Sequence, residues 1–303
     1  MQTRTDPWVN LLRDTIACFA AAAGGADAIT VLPYDHALGL PTAFSRRVAR
    51  NTQSLLSSES NVARVADPAG GSAYVESLTD ELARAAWAWF GELDAAGGAA
   101  AGLASGAVAE RLAATRAERD AALATRALPL TGTSTFPLAG EQLLQRTARV
   151  QLPGEGLPRR RDGEVFEALR ERTATGDVSV PVLALGPARE HTARLTFVAN
   201  LLGVAGIRPD VVEVTDAADI AAADAPVVII ASSRTGYEAL AEASVASLRS
   251  AGVQRVLVAG SATELGGTTV DGEIRDGMDV VAFLTELLDL LDTPRAPQAG
   301  ADA

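Results

Sequence analysis

The chain has 303 residues, 48% of them hydrophobic and only 4% aromatic, and its 26 Lys and Arg against 38 Asp and Glu give a formal net charge of −12. That charge repels nucleic acid and anionic membrane, while the apolar share suffices for two packed domains with cores built from Ala, Val and Leu. One cysteine and two histidines leave no disulfide framework and no structural zinc site, and they fit a reducing, cytoplasmic setting.

In chain order, "DPWVNLLRDTIACFAAAAGG" has apolar residues at helical spacing, with Pro7 near its start and Gly24-Gly25 at its stop. Cys18 lies on the apolar face of that helix and reads as a small core residue rather than a nucleophile. Asp27 to Leu32 is expected as a short strand, Thr42 to Ser58 as a helix, and "NVARVA" as another short strand. A Gly-rich loop and a long Ala- and Trp-rich helix follow it, so residues 1–95 alternate helix and strand in the manner of parallel strands covered by helices. No run of apolar residues reaches the roughly 18 needed to span a bilayer, and "MQTRTDPW" lacks the layout of a signal peptide.

Residues 96–162 begin Ala-rich and helical, then turn Pro- and Gly-rich from Leu128 to Asp162, which reads as a linker lying along a surface. The basic run "LPRRRDGE" within it reads as a solvated loop or a subunit contact. From residue 163 to 292 the alternation is cleaner. Strands are expected at "VPVLAL", "RPDVVEV", "APVVIIAS" and "QRVLVAG", and helices lie between them, including a short one at "DAADIAAA". Near-continuous Val, Ile and Leu marks a sheet buried on both faces, hence a doubly wound, flavodoxin-like domain. The Pro/Ala-rich tail 293–303 is expected to be disordered. A parallel barrel needs eight βα units, and residues 1–95 offer two or three, so this block reads as the end of something larger.

The stretch Arg46 to Trp87 closely resembles the late-barrel signature of the cobalamin-dependent methylmalonyl-CoA mutases. "ARNTQ" (Ala49 to Gln53) is followed by Asp67-Pro68, Gly70-Gly71-Ser72, Tyr74-Val75-Glu76 and Leu78-Thr79. The resemblance extends through "LTGTSTFP" and the linker to the C-terminal domain, and covers roughly the second half of a mutase chain. It implies an α/β protein made of the C-terminal part of a (β/α)8 TIM barrel plus a flavodoxin-like, cobalamin-binding-type domain. It also implies the family chemistry: isomerisation of methylmalonyl-CoA and succinyl-CoA, with adenosylcobalamin as radical source.

Two positions separate catalytic chains of this family from the related small subunits. Where catalytic chains carry "HTN", Thr30-Val31-Leu32 stands here, as in the small-subunit type. His36, six residues on, reads as a loop residue. Where catalytic chains carry "DxHxxG", with its histidine on cobalt, the alignment places Pro187 to Thr192, so that Arg189 occupies the ligand position. A guanidinium has no lone pair to give a metal. His191 is the remaining cofactor-binding candidate; it lacks the supporting aspartate and glycine and reads instead as a surface or helix-start residue. "SSRTG" (Ser232 to Gly236) and the loop with Gly260, Gly266 and Gly267 stand where the cofactor's tail would lie and read as turns. A structural role is also expected for the Gly70-Gly71-Ser72 loop.

The resemblance therefore implies a non-catalytic small chain, with no catalytic or metal-binding residue of its own. It would form a heterodimer with a catalytic large subunit that holds adenosylcobalamin, in the cytoplasm, with no nucleic-acid or membrane partner. The alternative is a free-standing α/β binding or chaperone-like module, and an active mutase chain is disfavoured.

Overall fold

A computed structural model describes residues 1–150, 157, 159–216 and 225–292. The expected short helix at 216–223 and the expected disordered tail at 293–303 fall almost entirely outside the described residues. Two compact units are present, Met1–Asp120 with Gln142–Asp162, and Ala121–Glu141 with Gly163 onward.

The first unit is helical. It holds α1 (Val9–Ala23), α2 (Ala43–Ser54), α3 (Ala73–Ala95), α4 (Gly98–Ala104) and most of α5 (Ala107–Ala124). Thr42 starts α2 by accepting from the Ser45 amide at 3.1 Å, the usual use of a hydroxyl before a helix. Gly106, at φ 83°, separates α4 from α5, so the helical stretch expected after residue 96 is broken there. The strands expected at Asp27–Leu32 and "NVARVA" do not form: the first has no helix or ladder and the second contains one short 3-10 turn, Val62–Arg64. A strand exists only through hydrogen bonds to a neighbour. None of the described residues pairs with Ile29 in that way; its carbonyl accepts instead from the Gln53 side chain at 2.8 Å.

Polarity in α1 is inverted relative to an ordinary surface helix. Trp8, Leu12, Ile16 and Phe19 recur every three or four residues along one face and are exposed. The buried Asn10 donates to the carbonyls of Thr3 (2.9 Å) and Tyr34 (2.8 Å), with Asp35 also buried nearby in sequence.

The second unit is a five-stranded, wholly parallel sheet: β1 (Ser179–Leu185), β2 (Arg208–Val214), β3 (Val227–Ala231), β4 (Arg255–Ala259) and β5 (Gly272–Ile274). Its strand order is β2-β1-β3-β4-β5, the doubly wound order that reverses between β1 and β3. The first four strands lie where the sequence places them; the three-residue edge strand β5 carries too few residues to show a pattern. α6 (Glu164–Thr173) leads into β1, α7 (Ala188–Val204) joins β1 to β2, α8 (Arg234–Ser250) joins β3 to β4, and α9 (Val280–Asp292) follows β5. Alternating strand residues feed two cores. Val182, Ile229 and Leu257 join Phe166, Leu201 and Leu284 on one face, while Leu183, Ile230 and Val256 join Tyr237, Val245 and Leu248 on the other. Every residue of β3 is buried, as its unbroken apolar run requires.

Candidate functional site: the crevice at the strand reversal

In an open α/β sheet, ligands lie beyond the carboxyl ends of the strands at the point where strand order reverses. Here that point is framed by the turn after β1 (Gly186, Pro187) leading into α7, and the turn after β3 (Ser232, Ser233) leading into α8. Gly186 adopts φ 84°, which the tight exit from β1 requires and which an L side chain resists. Two helix N-termini thus face the crevice.

The chain's own side chains fill the space. Ser232 is buried and donates to the Leu185 carbonyl at 2.7 Å, tying the end of β3 to the end of β1. Ser233 caps α8 by accepting from the Gly236 amide at 3.3 Å, and its hydroxyl donates to Glu190 in the first turn of α7. That hydrogen bond, with help from Arg189, holds the Glu190 carboxyl below its ordinary range. A carboxylate therefore sits at the start of α7, bridging the two turns.

A second closure lies one turn along α7. Arg194 donates to the Ala259 carbonyl at 3.0 Å and to Glu264 at 2.5 Å, and its guanidinium stands 5.2 Å over the Tyr237 ring. Tyr237 is buried and donates to the Ala259 carbonyl at 2.7 Å; burial raises its phenol pKa. Burial pushes the Glu264 carboxyl up, but the Arg194 guanidinium and the Ser261 amide outweigh it and leave the group below its ordinary value. Ser261 and Glu264 cap each other's turn. Gly260, at φ 123°, lets Arg194 pass: an added Cβ would stand 2.7 Å from Nη1. Gly266 and Gly267 also have positive φ, in keeping with turn roles.

The residues singled out from sequence do not converge. The Arg189 side chain is 80% exposed and contacts Glu190 Oε1 at 3.2 Å. His191 starts α7 as expected but is not a surface residue; it is 3% exposed, and neither ring nitrogen has a hydrogen-bond partner among the described residues. The reason is its spacing: residue 191 shares a helix face with Leu195, Val198 and Leu202, which pack on the sheet core.

The other candidates lie in the first unit. The Arg149 guanidinium lies 2.9 Å from His36 Nε2 and 3.1 Å from Nδ1, and burial followed by that charge lowers the imidazole pKa. Cys18 is buried, and burial raises its thiol pKa. Gly70 is packed on Asp67, where a Cβ would stand 2.5 Å from Oδ2, and Ser72 precedes α3. Among the described residues no group of three His, Cys, Asp or Glu is placed to hold a metal ion, and no helix is long and apolar enough to cross a membrane. Sequence reasoning missed the Glu190–Ser233 and Arg194–Glu264–Tyr237 contacts. The i, i+4 placement of Glu190 and Arg194 on α7 was the one available signal, and it does not name partners on other elements.

Comparison with known proteins adds the following. The family model described as methylmalonyl-CoA mutase matches residues 1–188. A protein of Streptomyces virginiae named methylmalonyl-CoA mutase small subunit is 51% identical over 300 residues, covering 95% of this chain and 48% of that protein. The protein of the same name from Propionibacterium freudenreichii subsp. shermanii is 39% identical over 303 residues, with the same coverage. A protein named methylmalonyl-CoA mutase from Cereibacter sphaeroides is 41% identical over 140 residues, 46% of this chain. The chain spans about half the length of the curated small subunits it matches.

Proposed function

The chain belongs to the methylmalonyl-CoA mutase family, and from that premise we propose that it serves as a non-catalytic small chain, pairing with a catalytic large chain. The large chain would hold adenosylcobalamin and isomerise the acyl-CoA ester. Adenosylcobalamin would supply radical chemistry where it is bound, and a protein residue that held its cobalt would have to offer the metal a lone pair. The residues of this chain do not fit that task. Arg189, at the aligned position, is cationic and points into solvent. His191 has both nitrogens enclosed on the core face of α7, and Glu190 joins the turn after β3 where the group would enter. The Arg189 position is the observation that carries the reading, and no chemical step is assigned to this chain.

The same reading takes residues 1–95 as the C-terminal part of a TIM barrel and residues 163–292 as a flavodoxin-like domain of cobalamin-binding type. The apolar segment Ile29–Leu32, which joins no ladder among the described residues, and the exposed apolar face of α1 support the first part. The 2-1-3-4-5 strand order supports the second. Names of relatives matched over 95% of the chain support the small-chain assignment, whereas the Cereibacter sphaeroides mutase matches over less than half.

The test is co-expression with the large chain of the same organism, followed by purification and a mutase assay. The pair is expected to co-purify and the chain alone to show no turnover. Titration of the chain alone with adenosylcobalamin should leave the cofactor's visible spectrum unchanged. A histidine-on-cobalt spectrum lost in His191→Ala, or mutase activity of the chain alone, refutes the proposal.

A further inference from the structure

Residues 145–149 lie against the loop 33–40 of the same unit, and two arginines pin them there. The loop is shaped by two turns: the His36 amide donates to the Pro33 carbonyl at 2.9 Å and the Leu38 amide to the Asp35 carbonyl at 3.0 Å. At one pin Arg146 donates to the fully buried Asp35 at 2.6 Å. At the other, Arg149 donates to the Gly39 carbonyl at 3.0 Å and sets Nη1 2.9 Å from His36 Nε2. Between the pins the Leu40 amide donates to the Thr147 carbonyl at 2.8 Å. The fit is close, for a Cβ on Gly39 would collide with the Thr147 oxygen.

The two pins differ in chemistry. Arg146 and Asp35 join opposite charges, whereas Arg149 sets a cation on an imidazole. A guanidinium has donors but no lone pair, so this contact needs a ring nitrogen that accepts; the neutral imidazole has one and the imidazolium has none. Protonation therefore turns the Arg149 pin from a hydrogen bond into two cations in contact. Burial and the Arg149 charge hold the His36 pKa below its ordinary 6.5, against the pull of the neighbouring Asp35 carboxylate. Arg146 already bonds that carboxylate. Tyr34, the other side chain beside them, is buried with its phenol pKa raised by burial, so it stays neutral while a histidine titrates.

We propose that His36 is a proton-operated catch on this strap: the neutral ring holds residues 147–149 on the loop, and the imidazolium releases them while Arg146 and Asp35 keep the other end attached. The hold is complete above the ordinary histidine value of 6.5 and is lost as pH falls through the lower folded value. With the Arg149 pin gone, the bond between Leu40 and Thr147 stands at a frayed end, since Val150 beyond it is 82% exposed. The catch lies wholly within the first unit and does not depend on the pairing with a large chain.

The experiment uses the full chain. It has two histidines, so the His36 ring resonance is assigned by its loss in His36→Asn, and its titration gives the folded pKa. Amide hydrogen exchange at Leu40, corrected for the intrinsic effect of pH, reports the strap at about pH 7.5 and at about pH 5.5. The parent is expected to titrate below 6.5 and to lose protection at the acid pH, by up to about tenfold for each unit between the folded and ordinary values. Arg149→Met should bring the His36 pKa up toward its ordinary value and leave Leu40 weakly protected at both pH values. His36→Asn keeps an acceptor that does not titrate, and its protection should not change with pH. A parent pKa at or above 6.5, or equal protection of the parent at the two pH values, overturns the proposal. So does a His36 titration unmoved by Arg149→Met. Acid loss in His36→Asn as large as in the parent also overturns it, by assigning the switch to another group.

Discussion

Gly236 and Ser232 are packed so closely that their cost of substitution must be shared. A Cβ added at Gly236 would stand 2.0 Å from Ser232 Oγ, 3.1 Å from Ser232 Cβ and 3.4 Å from the Leu185 carbonyl oxygen. In Gly236→Ala the Ser232 hydroxyl must leave its 2.7 Å bond to Leu185, worth about 1 kcal/mol. The remaining contact compresses the first turn of α8 against β3, adding about 1–3 kcal/mol of overpacking. The single variant should therefore lose about 2–4 kcal/mol in total. Ser232→Ala alone loses the same hydrogen bond and should cost about 1 kcal/mol. In the double variant that bond is lost only once and the worst clash is absent, so the two costs should fall short of additivity by about 1–2 kcal/mol. Urea unfolding followed by far-UV circular dichroism gives all four midpoints, at constant slope if only native packing is affected. Hydrogen exchange should place the loss in β1, β3 and α8. Strict additivity, or a neutral Gly236→Ala, refutes the view that the close approach of these two turns is what holds the crevice shut.

Three further outcomes follow from single contacts. Arg146 meets the fully buried Asp35 at 2.6 Å, so Arg146→Ala leaves a buried carboxylate without its cation and should cost about 3–5 kcal/mol by thermal melting; a change below about 1 kcal/mol is incompatible with that pair. The Asp162 carboxyl is held below its ordinary 3.8 chiefly by hydrogen bonds from Arg119, at 2.9 and 2.7 Å. A depressed carboxyl stabilises the fold above its unfolded pKa and loses that contribution as pH falls through the folded value, so Arg119→Ala should be less stable than the parent at pH 7 by on the order of 1 kcal/mol. The two should converge well below pH 3.8, and a stability difference that persists there counts against the pairing. His191 is buried and neither ring nitrogen has a partner among the described residues, so His191→Leu removes desolvated polar atoms and should leave the melting temperature unchanged or raised; a loss above about 1 kcal/mol means that the imidazole is bonded.

The second unit was legible because its strands satisfy their own rules. An unbroken run such as Val227–Ala231 has one stable home, a position inside a parallel sheet, and the structure puts it there. The short edge strand Gly272–Ile274 was not legible: its pairing to β4 fixes it, and three residues show no period. In the first unit the pattern misled. Ile29-Thr30-Val31 is β-branched and reads as strand, but a ladder is a property of two segments, and here the Ile29 carbonyl is held by the Gln53 side chain instead of a neighbouring strand. The crevice was half legible. The helix-start position of His191 and the charge at Arg189 could be read directly, whereas the inward direction of His191 depends on its phase with Leu195 and Val198.

That phase decides how the opening of α7 should be understood. Moving a histidine two residues along a helix start rotates it by about 200°, enough to exchange a position facing the ligand crevice for one facing the core. Arg189 and His191 stand at the two ends of that rotation: the first is 80% exposed on its side chain and the second 3% exposed. Under the proposed reading, a single substitution is therefore not expected to make this chain bind cobalt. Arg189→His would place an imidazole at the outward position but would leave Glu190 bonded to Ser233 and Arg194 bonded to Glu264 across the same opening. The expected result is a stable variant that still leaves the adenosylcobalamin spectrum unchanged, and a histidine-on spectrum from Arg189→His alone would mean that these side-chain closures do not bar the cofactor.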